Sequence, residues 1–360
     1  MSPIGRARGK SGSTASVTIA LDAMGGDHAP GMIVAGAAIA QGRYPNAKFI
    51  FFGDESKISP LMSRRRALQT VSSIRHTETV IGNDDKPSAA LRGSGKQSSM
   101  RLAIDAVATG EADCVISAGN TGALMAMAMI VLQKLPGIDR PAIASFLPTL
   151  RGETVMLDLG ANLECDANNL VQFAIMGAVF ARTVLGIPMP TIGLLNVGSE
   201  EMKGHDAVKA AAQILKTSTL PGYFHGFVEG NDIAAGTVDV VATDGFTGNV
   251  ALKTAEGMGK LYTEFLRRTF RSSILARIGY LLANAAFGKL RARVDPRRYN
   301  GGMFLGVSGV CVKSHGGVDG FGFANAIGVA VDLAAHGFND RIREELQRLD
   351  LSRAPAAVAV

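Results

Sequence analysis

Six short stretches rich in glycine and polar residues each come directly after an apolar run that predicts a buried strand. They read DAMGGDH, SAGNTGA, DLGAN, NVGSEEMKG, TDGFTGN and KSHGG. In open α/β sheets, ligands bind outside the carboxyl ends of the strands, where the following helices present their N-terminal N–H groups. We therefore expect the six stretches to line a single edge of the sheet and to surround a cleft suited to an anion.

The first stretch, DAMGGDH, places two acids, two glycines and a histidine in one turn. We predict that this turn forms a wall of the cleft, with Gly25 and Gly26 among its phosphate-binding groups. The Asp22 carboxylate would orient amides and cations instead of touching the anion, because like charges repel. His28 and His315 are candidates for handling a proton or the phosphate, and a structural role is the alternative for each.

Two predicted helix starts carry donors that a phosphate dianion needs. SAGNTGA combines small residues with helix N-terminal amides, and RGSGKQSS adds Arg92, a lysine and two serines. For Arg92 a solvated helix terminus is an equal alternative. The predicted binding residues of these and the later stretches are Lys96, Ser98, Ser99, Gly119, Asn120, Thr121, Gly122, Asn162, Asn196 and Lys203. Because the sequence has neither a Walker loop nor G-x-G-x-x-G after the first strand, nucleotide binding is not indicated.

The elements that must position these residues alternate along the chain. Strands are predicted at 17–21, 48–53, 113–119, 154–160, 191–198, 238–245 and 309–316, with helices at 31–42, 88–110, 121–135, 168–186 and 203–217. This alternation predicts βαβ units and an α/β fold whose mostly parallel sheet is flanked by helices. We expect a flexible tail at 1–16, one domain at 17–345 with a helical hairpin at about 255–300 as an appendage, and a second tail at 346–360.

The composition of the 360 residues, 47% hydrophobic with a net charge of +6, predicts a folded protein. Cys114, Cys165 and Cys311 are too scattered for a disulfide framework or a zinc site, which favours the cytoplasm. His28, His205 and His315 lack paired ligand spacing, so neither a metal nor a cofactor is expected. The N-terminus lacks a secretory apolar region, and the apolar run 122–132 is too short to cross a bilayer.

The stretches, extended to ALDAMGGDHAP, SAGNTGALMA, DLGAN, LLNVGSEEMKG, EGNDI, DGFTGNVALKTAEG and VKSHG, resemble the PlsX-type phosphate acyltransferases of bacterial phospholipid synthesis in kind and order. The resemblance covers about residues 17 to 345. It implies transfer of a long acyl chain from acyl-acyl carrier protein to inorganic phosphate, giving acyl-phosphate. It also implies a homodimer and a fold similar to isocitrate and isopropylmalate dehydrogenases, shared with phosphotransacetylase. No nucleic acid partner is expected.

A second resemblance concerns the catalytic residues. VATDGFTGNVALK is similar to a phosphotransacetylase stretch in which an aspartate precedes a Gly-Asn pair. This likeness implies that Asp244 handles the proton of the pantetheine thiol, supported by Asn249 and Lys253. A helix N-cap is the compatible alternative for Asp244. Cys165 follows DLGAN closely enough to suggest an acyl-cysteine, but the family pattern does not require one, because phosphate is itself an anionic nucleophile.

Other functions stay open at this stage. A phosphotransacylase acting on coenzyme A thioesters and a non-catalytic phosphate- or lipid-surface-binding module both fit the motifs. A decarboxylating dehydrogenase of the related fold would need a nucleotide site and a metal-binding aspartate cluster, and the sequence shows neither.

One segment is basic and free of acids. Between Glu264 and Asp295 there are seven basic residues and no acidic ones. On a helix at 100° per residue, six apolar side chains share an arc of about 140°: Phe270, Ile274, Leu275, Ile278, Leu281 and Leu282. The segment could pack in a dimer core or dock the acidic carrier protein. We favour a reversible anchor on an anionic membrane, near the downstream membrane glycerol-3-phosphate acyltransferase, which predicts a cytoplasmic, peripherally membrane-associated enzyme.

Overall fold

The computed structural model describes residues 16–348, without the side chains of residues 89, 289, 291–294 and 296. The predicted tails at 1–16 and 346–360 therefore lie almost wholly outside the described residues. So do the basic side chains of Lys289, Arg291 and Arg293, which belong to the acid-free segment.

One sheet of 11 strands runs through the described chain. Its strands are β1 Thr18–Asp22, β2 Lys48–Gly53, β3 Ser72–His76, β4 Cys114–Ser117, β5 Ala142–Pro148, β6 Glu153–Leu157, β7 Thr191–Leu195, β8 Tyr223–Val228, β9 Val240–Ala242, β10 Gly302–Leu305 and β11 Val310–Lys313. The helices are α1 Gly31–Arg43, α2 Glu55–Met62, α3 Arg66–Gln69, α4 Pro87–Ala90, α5 Ser99–Ala108, α6 Thr121–Val131, α7 Ala167–Phe180, α8 Asp206–Thr217, α9 Gly230–Ala235, α10 Gly245–Arg271, α11 Ile274–Leu282, α12 Asn284–Val294, α13 Gly320–Ala335 and α14 Phe338–Arg348.

The strand order is β3-β2-β1-β4-β11-β10-β5-β6-β9-β7-β8. Seven neighbouring pairs are parallel, and the three pairs β11–β10, β10–β5 and β5–β6 are antiparallel. The predicted α/β class with a mostly parallel sheet is therefore confirmed. All seven predicted strands are present. The sequence prediction missed β3, β5, β8 and β10.

The directions of the strands overturn the expectation of a single glycine-rich edge. Because three antiparallel pairs lie between β11 and β6, the strands β6, β7, β8 and β9 run opposite to β1, β2, β3, β4 and β11. The stretches DAMGGDH, SAGNTGA and KSHGG therefore end strands at one edge, and DLGAN, NVGSEEMKG and TDGFTGN end strands at the other. Strands of about five residues at roughly 3.3 Å each separate the edges by about 15 Å.

Each face of the sheet is covered by its own apolar core, which explains the nearly continuous apolar strands. In β1, Ile19 and Leu21 point into the core beneath α1, α7 and α13, and Ala20 points into the core beneath α5 and α6. The helices that cover both cores begin near the ends of the strands. Among the described residues no single helix is long and apolar enough to cross a membrane, though α13 and α14, bent by 56°, pass that test as a pair.

Three helices, α10, α11 and α12, occupy the region predicted as a helical hairpin. Of the 27 residues of α10, only Gly245 and Gly248 are buried. The helix stops at Arg271, and Ser273 caps α11 by accepting a hydrogen bond from Ala276 N at 3.0 Å. The six apolar residues of the predicted arc therefore do not share one helix, because Phe270 belongs to α10 and the other five residues belong to α11.

Candidate functional site

Asp22, the last residue of β1, is the centre of a buried hydrogen-bond network. Its Oδ1 accepts a hydrogen bond from Ser99 Oγ at 2.7 Å, and its Oδ2 accepts one from Ser117 Oγ at 2.6 Å. Because Ser99 opens α5 and Ser117 closes β4, the carboxylate joins elements that are distant in sequence. We call Asp22, Gly25, Ser99, Ser117, Gly119 and Lys313 the Asp22 cluster.

The environment of the Asp22 carboxyl is unfavourable for its charge. Burial raises its pKa, and hydrogen bonds from Ser117 and Ser99 only partly offset that rise. Its hydrogen-bond partners are hydroxyl and backbone N–H groups, and no cation pairs with it among the described residues. A buried carboxyl of this kind lowers the stability of the fold. Such perturbed groups are typical of functional sites.

The loops after β1, β4 and β11 meet beside this network. A Cβ atom on Gly25 would lie 2.7 Å from the backbone N of Gly119, so the contact requires glycine there. Gly26 has a φ of +103°, and a Cβ on it would lie 3.2 Å from the Gly316 carbonyl oxygen. Asp27 N donates a hydrogen bond to that same oxygen at 3.0 Å. The three strand-end loops therefore converge on one point.

Lys313, the last residue of β11, reaches this point and was not predicted from the sequence. Its Nζ donates hydrogen bonds to the carbonyl of Ala118, at 3.3 Å, and to that of Ser314. Burial lowers the pKa of Lys313 to about 8, although the nearby carboxylates of Asp22 and Asp27 favour its charged form. The available signal was a lone charged residue closing the apolar run GVCV.

Ser98 and Asn120, both predicted as phosphate ligands, use their side chains within the protein. Ser98 Oγ donates to the carbonyl of Gly95 at 2.7 Å and caps α5 by accepting from Arg101 N. Asn120 Oδ1 caps α6 by accepting from Ala123 N, and its amide donates to the carbonyls of residues 82, 83 and 85. These side chains hold the loops in place and leave no obvious donor for phosphate.

Backbone donors and exposed side chains are available at the same edge. The N–H groups of Thr121 and Gly122 open α6, and neither has an acceptor within the described part of the chain. Lys96, His28 and His315, which lie in connections at the same edge of the sheet, are exposed. First-turn N–H groups together with nearby cations are suited to binding an anion.

A second network lies at the opposite edge, around Asp158. Its carboxylate accepts hydrogen bonds from Ile143 N at 2.9 Å, from Ala161 N at 3.1 Å, and from both the backbone N and the Nδ2 of Asn162, at 2.7 and 2.9 Å. Burial raises the pKa of Asp158, and these N–H donors offset part of the rise. Sequence reasoning selected Asn162 and missed the aspartate of the same DLGAN stretch.

The N-terminus of α10 packs on this second network. Asp244 caps the helix, because its Oδ1 accepts from Thr247 N at 2.8 Å and its Oδ2 accepts from Thr247 Oγ1 at 2.7 Å. A Cβ on Gly248 would overlap the carbonyl oxygen of Asp158. Asn249 is exposed one residue further, beside Gly160. The capping role considered for Asp244 is therefore present in the structure.

The remaining predicted residues also lie on the β6–β8 half of the sheet. Asn196 follows β7, and its Nδ2 donates to the carbonyl of Lys203 at 3.0 Å. The Lys203 ammonium pairs with Glu200 at 2.8 Å. Lys253, in α10, pairs with Glu256 at 2.8 Å. Asp244, Asn162 and Asn196 therefore follow strands that end at the edge opposite Asp22.

Cys165 lies near the second network but is poorly suited to be a nucleophile. Burial, with further contributions from Asp158 and Asp244, raises the pKa of its thiol to about 12. The thiolate is the reactive form of cysteine, so the thiol is almost wholly protonated at neutral pH. This agrees with the expectation that no acyl-cysteine is required.

The sheet and the helices around it define the class of the protein, an α/β fold shared with phosphotransacetylases. A phosphotransacetylase from Streptococcus pyogenes superposes with a TM-score of 0.59 at 16% sequence identity. The match covers 89% of this chain and 94% of that chain. The predicted relation to the phosphotransacetylase fold is therefore confirmed.

Sequence relatives identify the family. A protein named phosphate acyltransferase from Rhodospirillum centenum is 69% identical over 341 residues, which are 95% of this chain and 96% of its own. Another of that name, from Paramagnetospirillum magneticum, is 61% identical over 336 residues, 93% of this chain and 95% of its own. The family described as "Fatty acid synthesis protein" matches residues 17–341, and the chain belongs to it. The resemblance seen in the motifs, and with it the prediction of an acyltransferase, is confirmed.

Proposed function

We propose that this acyltransferase moves a fatty acyl group from acyl-acyl carrier protein to inorganic phosphate and releases acyl-phosphate for phosphatidic acid and phospholipid synthesis. The observation that carries the proposal is the convergence of three strand-end loops at the Asp22 cluster. There the N–H groups of Thr121 and Gly122 and the ammonium of Lys313 lie at one edge of the sheet. The names of the relatives agree with phosphate as the acceptor.

The reaction asks little covalent chemistry of the protein. A phosphate oxygen attacks the thioester carbonyl carbon, the C–O bond forms, the C–S bond breaks, and the pantetheine thiolate takes up a proton. Holding the two reactants together accounts for up to about 7–11 kcal/mol of the barrier. Backbone N–H groups aimed at the developing oxyanion lower it further. We assign these positioning roles to the loops of the Asp22 cluster and to the start of α6.

The test is the reaction itself. Purified protein, acyl-acyl carrier protein and inorganic phosphate should yield acyl-phosphate, detected as its hydroxamate, and free carrier protein in equal amounts. Replacing the donor by an acyl-coenzyme A of the same chain length tests the alternative substrate. If neither donor gives acyl-phosphate while phosphate still binds, the protein would be a non-catalytic phosphate-binding module.

We propose that the active protein is a homodimer. On α10, large apolar side chains fall within an arc of about 160° at 100° per residue and remain exposed in the single chain: Phe246, Val250, Met258, Leu261, Tyr262 and Phe265. An exposed stripe of this size marks an interaction surface. A second copy is the partner we propose, because the stripe begins beside Asp244, a predicted catalytic residue that lies at the wrong edge to serve Asp22 in its own chain.

The homodimer proposal predicts complementation between two inactive variants. Chains carrying Asp22→Ala and chains carrying Asp244→Asn should each have little activity alone. If Asp244 of one copy serves the Asp22 cluster of the other, a mixed dimer retains one intact site of two and should show about half of wild-type turnover. Co-expression with two different affinity tags isolates mixed dimers for this measurement. Inactive mixed dimers would contradict the sharing of Asp244 between copies, and an Asp244→Asn variant with normal turnover would leave Asp244 only its capping role.

We further propose that α11 attaches the enzyme reversibly to an anionic membrane. In α11 five apolar side chains point away from the rest of the structure and are exposed: Ile274, Leu275, Ile278, Leu281 and Leu282. Tyr280, on the other side of the helix, stacks on Phe287 at 5.2 Å, and both rings pack around Phe270. Phe270, predicted as a membrane contact, therefore belongs to the internal packing of the appendage.

A further inference from the structure

The Lys313 ammonium lies where the ends of three neighbouring strands meet. The fold itself does not require a positive charge at this position. Its Nζ has three N–H protons, and the structure provides two acceptors, the carbonyls of Ala118 and Ser314. Within the described residues it forms no ion pair with a carboxylate. Ala118 immediately precedes the loop from which the Thr121 and Gly122 N–H groups emerge.

We propose that Lys313 is the positive charge to which the phosphate substrate binds, with its third N–H donating to a phosphate oxygen. This inference rests on the proposed function and adds a binding residue that was not among those predicted from the motifs. The Ala118 and Ser314 carbonyls fix the ammonium at the point where the loops after β1, β4 and β11 meet. A half-buried ammonium held in place loses little conformational entropy on binding, and its attraction to an anion is weakly screened.

The neighbouring groups explain why Lys313 can carry a positive charge although its burial disfavours the charged form. Asp22, at the end of β1, and Asp27, in the loop after it, face Lys313 and stabilise its charged form. The exposed His315 lies on its own loop. The loop after β4, the first turn of α6 and the adjacent Gly302 and Met303 of β10 bring no ionisable group. Asp319, before α13, is paired with Arg297 at 2.8 Å.

The direction in which stability changes with pH distinguishes a binding role of Lys313 from a structural one. The folded pKa of Lys313, about 8, is below the ordinary value of 10.5, so the unfolded chain holds a proton that the folded chain has lost. Stability therefore rises with pH across that window and is lower at neutral pH. Lys313→Met removes the burial cost and should melt at the same or a higher temperature than wild type at neutral pH. A lysine that merely joined two loops would give a lower melting temperature.

The experiment measures inorganic phosphate binding and catalysis separately. By isothermal titration calorimetry, Lys313→Met should weaken phosphate binding about 10- to 100-fold, the usual range for one charge-assisted hydrogen bond. The KM for phosphate should rise by a similar factor, with little change in the KM for the acyl donor. The wild-type phosphate affinity should fall as the pH rises through about 8, where phosphate is already a dianion, and the variant should lack that inflection.

Lys48→Met is the matched control, because Lys48 is an exposed lysine at the start of β2, at the opposite edge. It should bind phosphate as wild type does. Unchanged phosphate affinity in Lys313→Met would overturn the assignment. So would a variant that binds phosphate more weakly but also has a lowered melting temperature and keeps the pH inflection. A different result would refute the proposed function, namely that wild type binds phosphate but makes no acyl-phosphate.

Discussion

Asp22→Ala should lower the turnover of acyl-phosphate formation about 100-fold while the melting temperature changes little. The carboxylate orders the hydroxyls of Ser99 and Ser117 and thereby fixes α5 and the loop after β4. Without it, two buried hydroxyls lose their acceptor and the loops around the phosphate site relax. A displacement of about 1 Å at a reacting centre is enough for a loss of this size.

Stability should respond weakly because two effects oppose each other. Losing two hydrogen bonds to a charged group costs about 1.5–3 kcal/mol each. The folded pKa of Asp22 lies above its ordinary value, so burying its charge costs stability at every pH above the folded pKa, and alanine removes that cost. Thermal unfolding and steady-state kinetics on the same preparation measure both quantities.

Asp239→Ala provides the matched control for this prediction. Asp239 also accepts hydrogen bonds from a hydroxyl and a backbone N–H, those of Thr191, at 2.7 and 2.8 Å. It precedes β9, outside both networks. Its replacement should lower the melting temperature and leave the turnover of the folded protein unchanged. The role of Asp22 would be refuted if its variant lost folded protein but kept normal turnover.

The sequence predicted the strands that carry the chemistry, and it missed strands that lie at the edges of the sheet or lack a long, strongly apolar run. β1, β4 and β11 are buried on both faces, so each is a visible apolar run. β3 and β8 are the two edge strands of the sheet, with less buried side chains. β5 is diluted by alanine and serine, and the apolar run of β10 is only three residues long and lies between glycines. These segments become strands because of pairing that only the tertiary structure supplies.

The single-edge prediction failed for a topological reason. Local patterns show that a strand ends in a glycine-rich loop, but they do not show which way that strand runs in the sheet. The three antiparallel pairs around β10 and β5 reverse the second half, and the sequence prediction contained neither of these strands. Lys313 and Asp158 were missed for a related reason, because each reads as part of an apolar strand until its neighbours are known.

The second large expected effect is the loss of membrane binding when the exposed apolar face of α11 is changed. Ile278 is 48% exposed and Leu281 71% exposed, and burying their exposed parts in the lipid interface would contribute about 2–4 kcal/mol. Arg271 and Arg277 lie on the same segment, and each basic residue near an anionic surface adds about 1 kcal/mol within a Debye length. Binding of the wild type should therefore increase with the fraction of phosphatidylglycerol and weaken with salt.

Ile278→Glu with Leu281→Glu should abolish co-sedimentation with phosphatidylglycerol vesicles, while acyl-phosphate formation in solution stays normal, because both side chains are exposed and α11 packs mainly against α10 and α12. The control is Ala285→Glu with Ala286→Glu in α12, which adds the same two charges to exposed positions but removes no large apolar side chain. That variant should be weakened by repulsion alone, so its difference from wild type should shrink as added salt screens the charges, whereas the larger part of the α11 variant's loss should persist. If the α11 variant bound vesicles as well as wild type does, or if wild type were a dimer and the variant were not, this face would be assigned to packing between protein chains instead.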